Sequence, residues 1–203
     1  MLAGPQVWGP STNGLRIGIS PVISGRLPPV GAQFYVGLQN TGDSDFVVNL
    51  GTMLANGQVM FPDAVRLTLT DPAGQIRQLQ VSDRRHPVVA GRVDAFTVAL
   101  RSGATYVLRV SLDQYVSPHS KEVRVKLGDG RHRISARFEG LAAERANLDM
   151  QGVAMLNFWK GTVQTDDLEF EVSQLVTSIV LRFTRSAAWQ MPVRIQTSDI
   201  SRK

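Results

Sequence analysis

The sequence predicts an all-β fold: an antiparallel, Ig-like β-sandwich of about nine strands, with a short helical link and a C-terminal appendage. Three observations carry that expectation. Apolar and polar residues alternate at period two through most of the chain, which is the pattern of strands with one buried face. Turn signals separate the alternating runs at roughly the spacing of a sandwich. Only one stretch, from Gly140 to Asn147, reads as helical, so there is no β-α-β alternation to argue for a parallel sheet.

The strands follow in order. Leu15, Ile17 and Ile19 alternate with Arg16 and Gly18. Phe34, Val36 and Leu38 alternate with Tyr35 and Gly37, and the turn Asn40-Thr41-Gly42-Asp43 leads into Phe46, Val48 and Leu50. Val65, Leu67 and Leu69 run into Asp71-Pro72-Ala73-Gly74, where proline presets φ and glycine permits the positive φ that closes a hairpin. Val98 and Leu100 precede a turn at Arg101-Ser102-Gly103, and Tyr106, Leu108, Val110 and Leu112 form the clearest strand. Val123, Val125 and Leu127 predict a further strand, turned by Gly128-Asp129-Gly130 into a return strand. That strand sets His132, Ile134, Ala136 and Phe138 inward, opposite Arg131, Arg133, Ser135 and Arg137. Leu168, Phe170 and Val172 complete the pattern.

Length and composition fit a single globular domain. The chain has 203 residues, of which 43% are hydrophobic and 19% charged, which argues against disorder as the main state. No cysteine is present, so disulfides, thiolate metal sites and a thiol nucleophile are excluded. The formal net charge is +5, yet residues 175–203 hold five basic residues and a single acid, Asp199, and so account for +4 of it. The nearly neutral body gives no support to a nucleic-acid surface. No apolar run approaches the ~20 residues of a membrane span. The start, Met1-Leu2-Ala3-Gly4, has neither a basic nor a long apolar region, so it is not an intact signal peptide. The expected organisation is an N-terminal segment 1–12, a sandwich domain 13–174, and a basic, apolar tail 175–203 lying outside the core.

No nucleophile elbow, zincin helix, Walker loop or dinucleotide fingerprint is present. Weaker constellations remain. His86 in Asp83-Arg84-Arg85-His86 and His119 in Ser117-Pro118-His119-Ser120 occupy loops, and Asp113 with His119 and Ser117 or Ser120 would complete a hydrolytic set. Arg84 and Arg85 would suit an anion. Asp167, Glu169 and Glu171 project from one strand face and, with Asn147 and Asp149, offer oxygen ligands to Ca²⁺, the only cofactor suggested. The plainer reading of those acids is a solvated strand face that discourages edge pairing. Trp8, Tyr35, Tyr115, Phe158 and Trp159 are rings on which a sugar would stack, unless they belong to the core. His132 reads as a core histidine with its hydrogen bond satisfied.

Several segments resemble a group of uncharacterised exported β-sandwich proteins of soil bacteria. They are Trp8-Gly9-Pro10 with Asn13-Gly14-Leu15-Arg16, Leu38-Gln39-Asn40-Thr41-Gly42-Asp43, Arg66 to Asp71, and Gly130 to Gly140. The resemblance spans residues 7–174 and leaves the tail outside. The Leu38 to Asp43 turn also resembles the bacterial intracellular proteinase inhibitor fold. The resemblance implies export and an Ig-like fold, and it implies no catalytic residues. The reading that follows is a non-catalytic exported binding or accessory module with a protein or carbohydrate partner. The alternative is a hydrolase of an ester, lactone or glycoside, with an unrecognised and Ca²⁺-assisted site.

Overall fold

A computed structural model describes residues 7–22, 31–54, 59–82, 93–118, 125–142, 156–175 and 178–182. Its strands, in chain order, are β1 (Val7–Trp8), β2 (Leu15–Pro21), β3 (Gln33–Asn40), β4 (Phe46–Leu54), β5 (Val59–Phe61), β6 (Val65–Thr70) and β7 (Ile76–Val81). They continue with β8 (Val93–Leu100), β9 (Thr105–Ser111), β10 (Tyr115–Val116), β11 (Gly130–Gly140), β12 (Gly161–Gln164), β13 (Leu168–Leu175) and β14 (Ser178–Arg182). The fold is all-β and antiparallel, as the alternation predicts. The strand count exceeds nine: a 4-stranded sheet runs β1-β2-β3-β9, a 7-stranded sheet runs β10-β7-β6-β11-β13-β14 with β12 also on β11, and a 3-stranded sheet runs β5-β4-β8.

One core joins the sheets. The inward residues Leu15, Ile17, Ile19, Phe34, Val36 and Leu38 of the four-stranded sheet are all buried, as are Leu67, Leu69, Ile134, Phe138 and Phe170 of the large sheet. The rings of Phe34 and Phe170 meet edge to face at 5.6 Å, so these two sheets pack face to face. The three-stranded sheet adds Phe46, Val48, Leu50, Phe96 and Leu100 to the same core. Its ladder shifts register between Asn49 and Gly51. Gly51 has φ 138° there, and a Cβ would collide with the Phe61 carbonyl, so the bulge requires glycine.

β12 and β13 lie on the same side of β11, and an extra residue between them makes a bulge. Thr165 fills the gap: its Oγ1 accepts from the Ala136 N–H at 3.0 Å, and its own N–H donates to the Ala136 carbonyl at 2.9 Å.

Asn40 ties together the two crossings between sheets. Residues 41–45 carry β3 into β4, and 101–104 carry β8 into β9. Asn40 is fully buried, and its Nδ2 donates to the Ser44 and Leu100 carbonyls at 2.9 and 3.0 Å. Its Oδ1 accepts from the Gly42 N–H at 2.9 Å, and its backbone N–H donates to the Ala104 carbonyl at 3.0 Å. The predicted turn is therefore real, but it ends in a switch of sheets.

Other expectations change in detail. Val125 and Leu127 lie in no strand, because β11 is already bonded to β6 on one edge and β13 on the other. Leu112 leaves β9 to begin a 3-10 turn, Leu112–Gln114. Ser135 is buried at 3% exposure although it alternates with inward residues. Part of the predicted N-terminal segment joins the fold, since Val7 and Trp8 pair with Ile19 and Gly18. A Cβ on Gly9 would collide with the Gln164 carbonyl, so only glycine lets the chain cross β12 there. The segment beyond residue 174 also joins in part: Ile179 to Arg182 pair with Gln174 to Glu171. Most of the predicted helical link, and residues 183–203, lie outside the described residues.

Candidate functional site

The sequence candidates separate widely. His86, Arg84, Arg85, His119 and Asp149 lie outside the described residues, as do Asn147 and Ser120. Asp113 is half-buried in the 3-10 turn. Asp167, Glu169 and Glu171 are exposed beside the outward face of β11. There Glu169 pairs with Arg131 at 3.9 Å and Asp167 with Arg133 at 3.6 Å, while Glu171 is the register partner of Arg131. Among the described residues no three acidic or histidine side chains gather as metal ligands. The arginines of β11 meet these acids as cross-strand partners do.

Two of the five rings are core residues. Trp159 is 5% exposed, packs on Phe138 at 5.8 Å, and donates its indole N–H to the Asn13 carbonyl at 2.9 Å. Tyr115 is 1% exposed, and its hydroxyl donates to the Val65 carbonyl at 3.3 Å. Burial holds its phenol well above the usual tyrosine value. Neither ring offers a free face to a ligand. Phe158 is half-buried and bridges to Val47 at the edge of β4.

His132 is fully buried and stacks on Phe170 at 5.3 Å. Its Nε2 lies 2.9 Å from the Gly128 carbonyl, so Nε2 carries the proton and donates. Nδ1 then has no partner among the described residues. Its burial and its one hydrogen bond match the core histidine that the sequence predicts.

The remaining rings, Trp8 and Tyr35, share the outer face of the four-stranded sheet. Alternation sends the odd residues of β2 into the core and leaves Arg16, Gly18 and Ser20 outward. Register then sets three rows across the strands. The middle row reads Trp8, Gly18, Gly37, Val107. One flanking row reads Arg16, Gln39, Thr105, and the other Ser20, Tyr35, Arg109. Two glycines thus sit side by side on β2 and β3, and neither adds a side chain to the centre of the face. The result is a shallow trough in which Gly18, Gly37 and Ser20 are buried, Trp8, Arg16, Tyr35, Gln39 and Val107 half-buried, and Thr105 and Arg109 exposed.

The rim is ordered by its own contacts. The Arg16 guanidinium lies 4.6 Å from the centre of the Trp8 ring, a cation-π contact that fixes both side chains. Arg16 Nε donates to Gln39 Oε1 at 2.7 Å. On the other side Arg109 Nε donates to Gln33 Oε1 at 3.0 Å, and its Nη2 bonds the same oxygen. Ser20 is 1% exposed and its hydroxyl has no partner among the described residues. Sequence reasoning names Trp8 and Tyr35 but misses Gly18 and Gly37, whose adjacency depends on a register no local pattern encodes.

No protein-family model matches this chain, and no curated protein matches it.

Proposed function

We propose that this chain is an exported, non-catalytic, Ig-like binding module that holds a saccharide chain on the outer face of β1-β2-β3-β9. The observation that carries this reading is the trough itself: Trp8 and Tyr35 flank a floor built from Gly18 and Gly37. A pyranose presents an apolar C–H face that stacks on a flat ring. Its hydroxyls bond to amides and guanidinium groups, and Gln33, Gln39, Arg16 and Arg109 place both at the rim. Gly18 and Gly37 add no side chain between the two rings. The rival hydrolase depends on His86 and His119, and no observation among the described residues favours it.

Binding of the purified chain to insoluble and soluble polysaccharides, by pull-down and affinity electrophoresis, tests this reading. Trp8→Ala and Tyr35→Ala should each weaken binding by about tenfold, or ~1.4 kcal/mol, with melting temperatures near that of the parent. Retention of full binding in the double variant would contradict it.

A further inference from the structure

We infer that the saccharide held in this trough is acidic, a polymer bearing uronate carboxylates; the inference rests on the reading of the trough as a saccharide site. The outward positions of β1, β2, β3 and β9 carry two guanidinium groups, Arg16 and Arg109, and no carboxylate. Each guanidinium is held by a neutral amide. Gln39 accepts from Arg16 and Gln33 accepts from Arg109, so both side chains are oriented with no carboxylate partner among the described residues.

On the large sheet of the same protein two arginines are paired with acids. Arg131 and Arg133 face Glu169 and Asp167 across its strands at 3.9 and 3.6 Å. Arg137, further along the same strand, lies instead between Arg66 and Gln164. On the trough each arginine bonds a glutamine, and among the described residues no acid pairs with either guanidinium, so a ligand carboxylate can engage both through charge-assisted hydrogen bonds.

The spacing selects a polymer. Arg16 pairs with Gln39 on one side of β3, and Arg109 pairs with Tyr35 on the other. Four residues along the strand and two strand spacings put their Cα atoms roughly 17 Å apart. Gly37 lies at the midpoint of that diagonal. A chain laid from Arg16 to Arg109 therefore crosses the glycine floor and passes the Tyr35 ring. A single sugar cannot reach both cations.

The test uses the full chain with polygalacturonate and alginate, each beside the same polymer after reduction of its carboxylates to alcohols, with polyglutamate as a non-sugar polyanion. The inference expects at least one uronate polymer to bind at least tenfold more tightly than its reduced form, and more weakly as salt rises. It expects the Arg16→Gln, Arg109→Gln double variant to lose at least tenfold more affinity for the uronate polymer than for its reduced form. Equal binding of uronate and reduced polymers would overturn the acidic preference and leave the saccharide reading standing. Binding of polyglutamate as tight as that of the uronates would overturn it too, because charge alone would then suffice. No binding of any polymer would remove both.

Discussion

Gly18 and Gly37 lie directly opposite each other across the β2–β3 ladder. Neither has a positive φ, so the backbone does not need glycine at either position. What the pair does is withhold side chains from the centre of an outward sheet face over two adjacent strands, where both glycines are buried. Glycine inside a strand weakens it and commonly marks a place where something approaches the backbone closely. Gly37→Thr therefore puts a side chain into a buried position, at a cost of about 1–3 kcal/mol, and circular dichroism identifies the temperature at which the variant is folded for binding. Uronate affinity should fall at least tenfold. A variant that folds and binds as well as the parent would show that the trough floor is not used.

Asn40 predicts the stability of one end of the molecule. Its amide donates to the Ser44 and Leu100 carbonyls and accepts from Gly42, all from a fully buried position. Asn40→Ala should cost about 2–4 kcal/mol, since three partners lose their bonds together. Asn40→Asp should cost at least as much near neutral pH, because a carboxylate would face two carbonyl oxygens with no proton to donate. Urea midpoints measure both. A loss below about 1 kcal/mol in either variant would contradict the network.

His132 separates packing from polarity. His132→Phe keeps a ring stacked on Phe170, removes a nitrogen with no partner among the described residues, and gives up the Nε2 bond to the carbonyl of exposed Gly128, which water can replace, so its stability should stay within about 1 kcal/mol of the parent. His132→Asp buries a poorly paired charge and should lose ~2 kcal/mol or more. Equal stabilities of the two variants would mean that this strand face is not enclosed.

Tyr115 predicts how the protein responds to alkali. Its phenol stays protonated in the fold above the usual value near 10, because burial opposes the charged form. The unfolded chain releases that proton first, so the stability contribution is complete below about pH 10 and declines as pH rises above it. Tyr106 is shifted upward by burial as well and adds to the same decline. Tyr115→Phe should lose about 0.5–1.5 kcal/mol near pH 8, through the bond to the Val65 carbonyl. The gap to the parent should narrow as pH approaches 11. Parallel stability curves for the two proteins over that range would contradict this.

Much of the fold is legible wherever a strand has one wet face and one dry face. The rows Leu15-Ile17-Ile19 and His132-Ile134-Ala136-Phe138 alternate cleanly and are buried as the pattern requires. β7 escapes notice because Leu79 is its sole buried residue, and β5 because it is a three-residue edge. Val125 and Leu127 mislead for the opposite reason: their alternation is good, but β11 has no free edge to pair with them. The trough is legible only in part. Trp8 and Tyr35 look no different in sequence from Tyr115 and Trp159, since a ring at a strand position does not declare which face it takes. Gly18 and Gly37 fall at outward positions by simple alternation, yet their juxtaposition is a property of pairing between strands.

Backbone amide and indole NMR shifts during titration with a soluble oligouronate test the central claim most directly. The account predicts that the largest changes fall on the Trp8 indole N–H, the Gly18 and Gly37 amides, and the amides of Tyr35, Gln39 and Arg109. These would lie on one contiguous face and follow one binding isotherm. Changes clustered instead around Asn40, Ser44 and Ser102 at the sheet crossings, or spread along the acidic row of Asp167, Glu169 and Glu171, would contradict it.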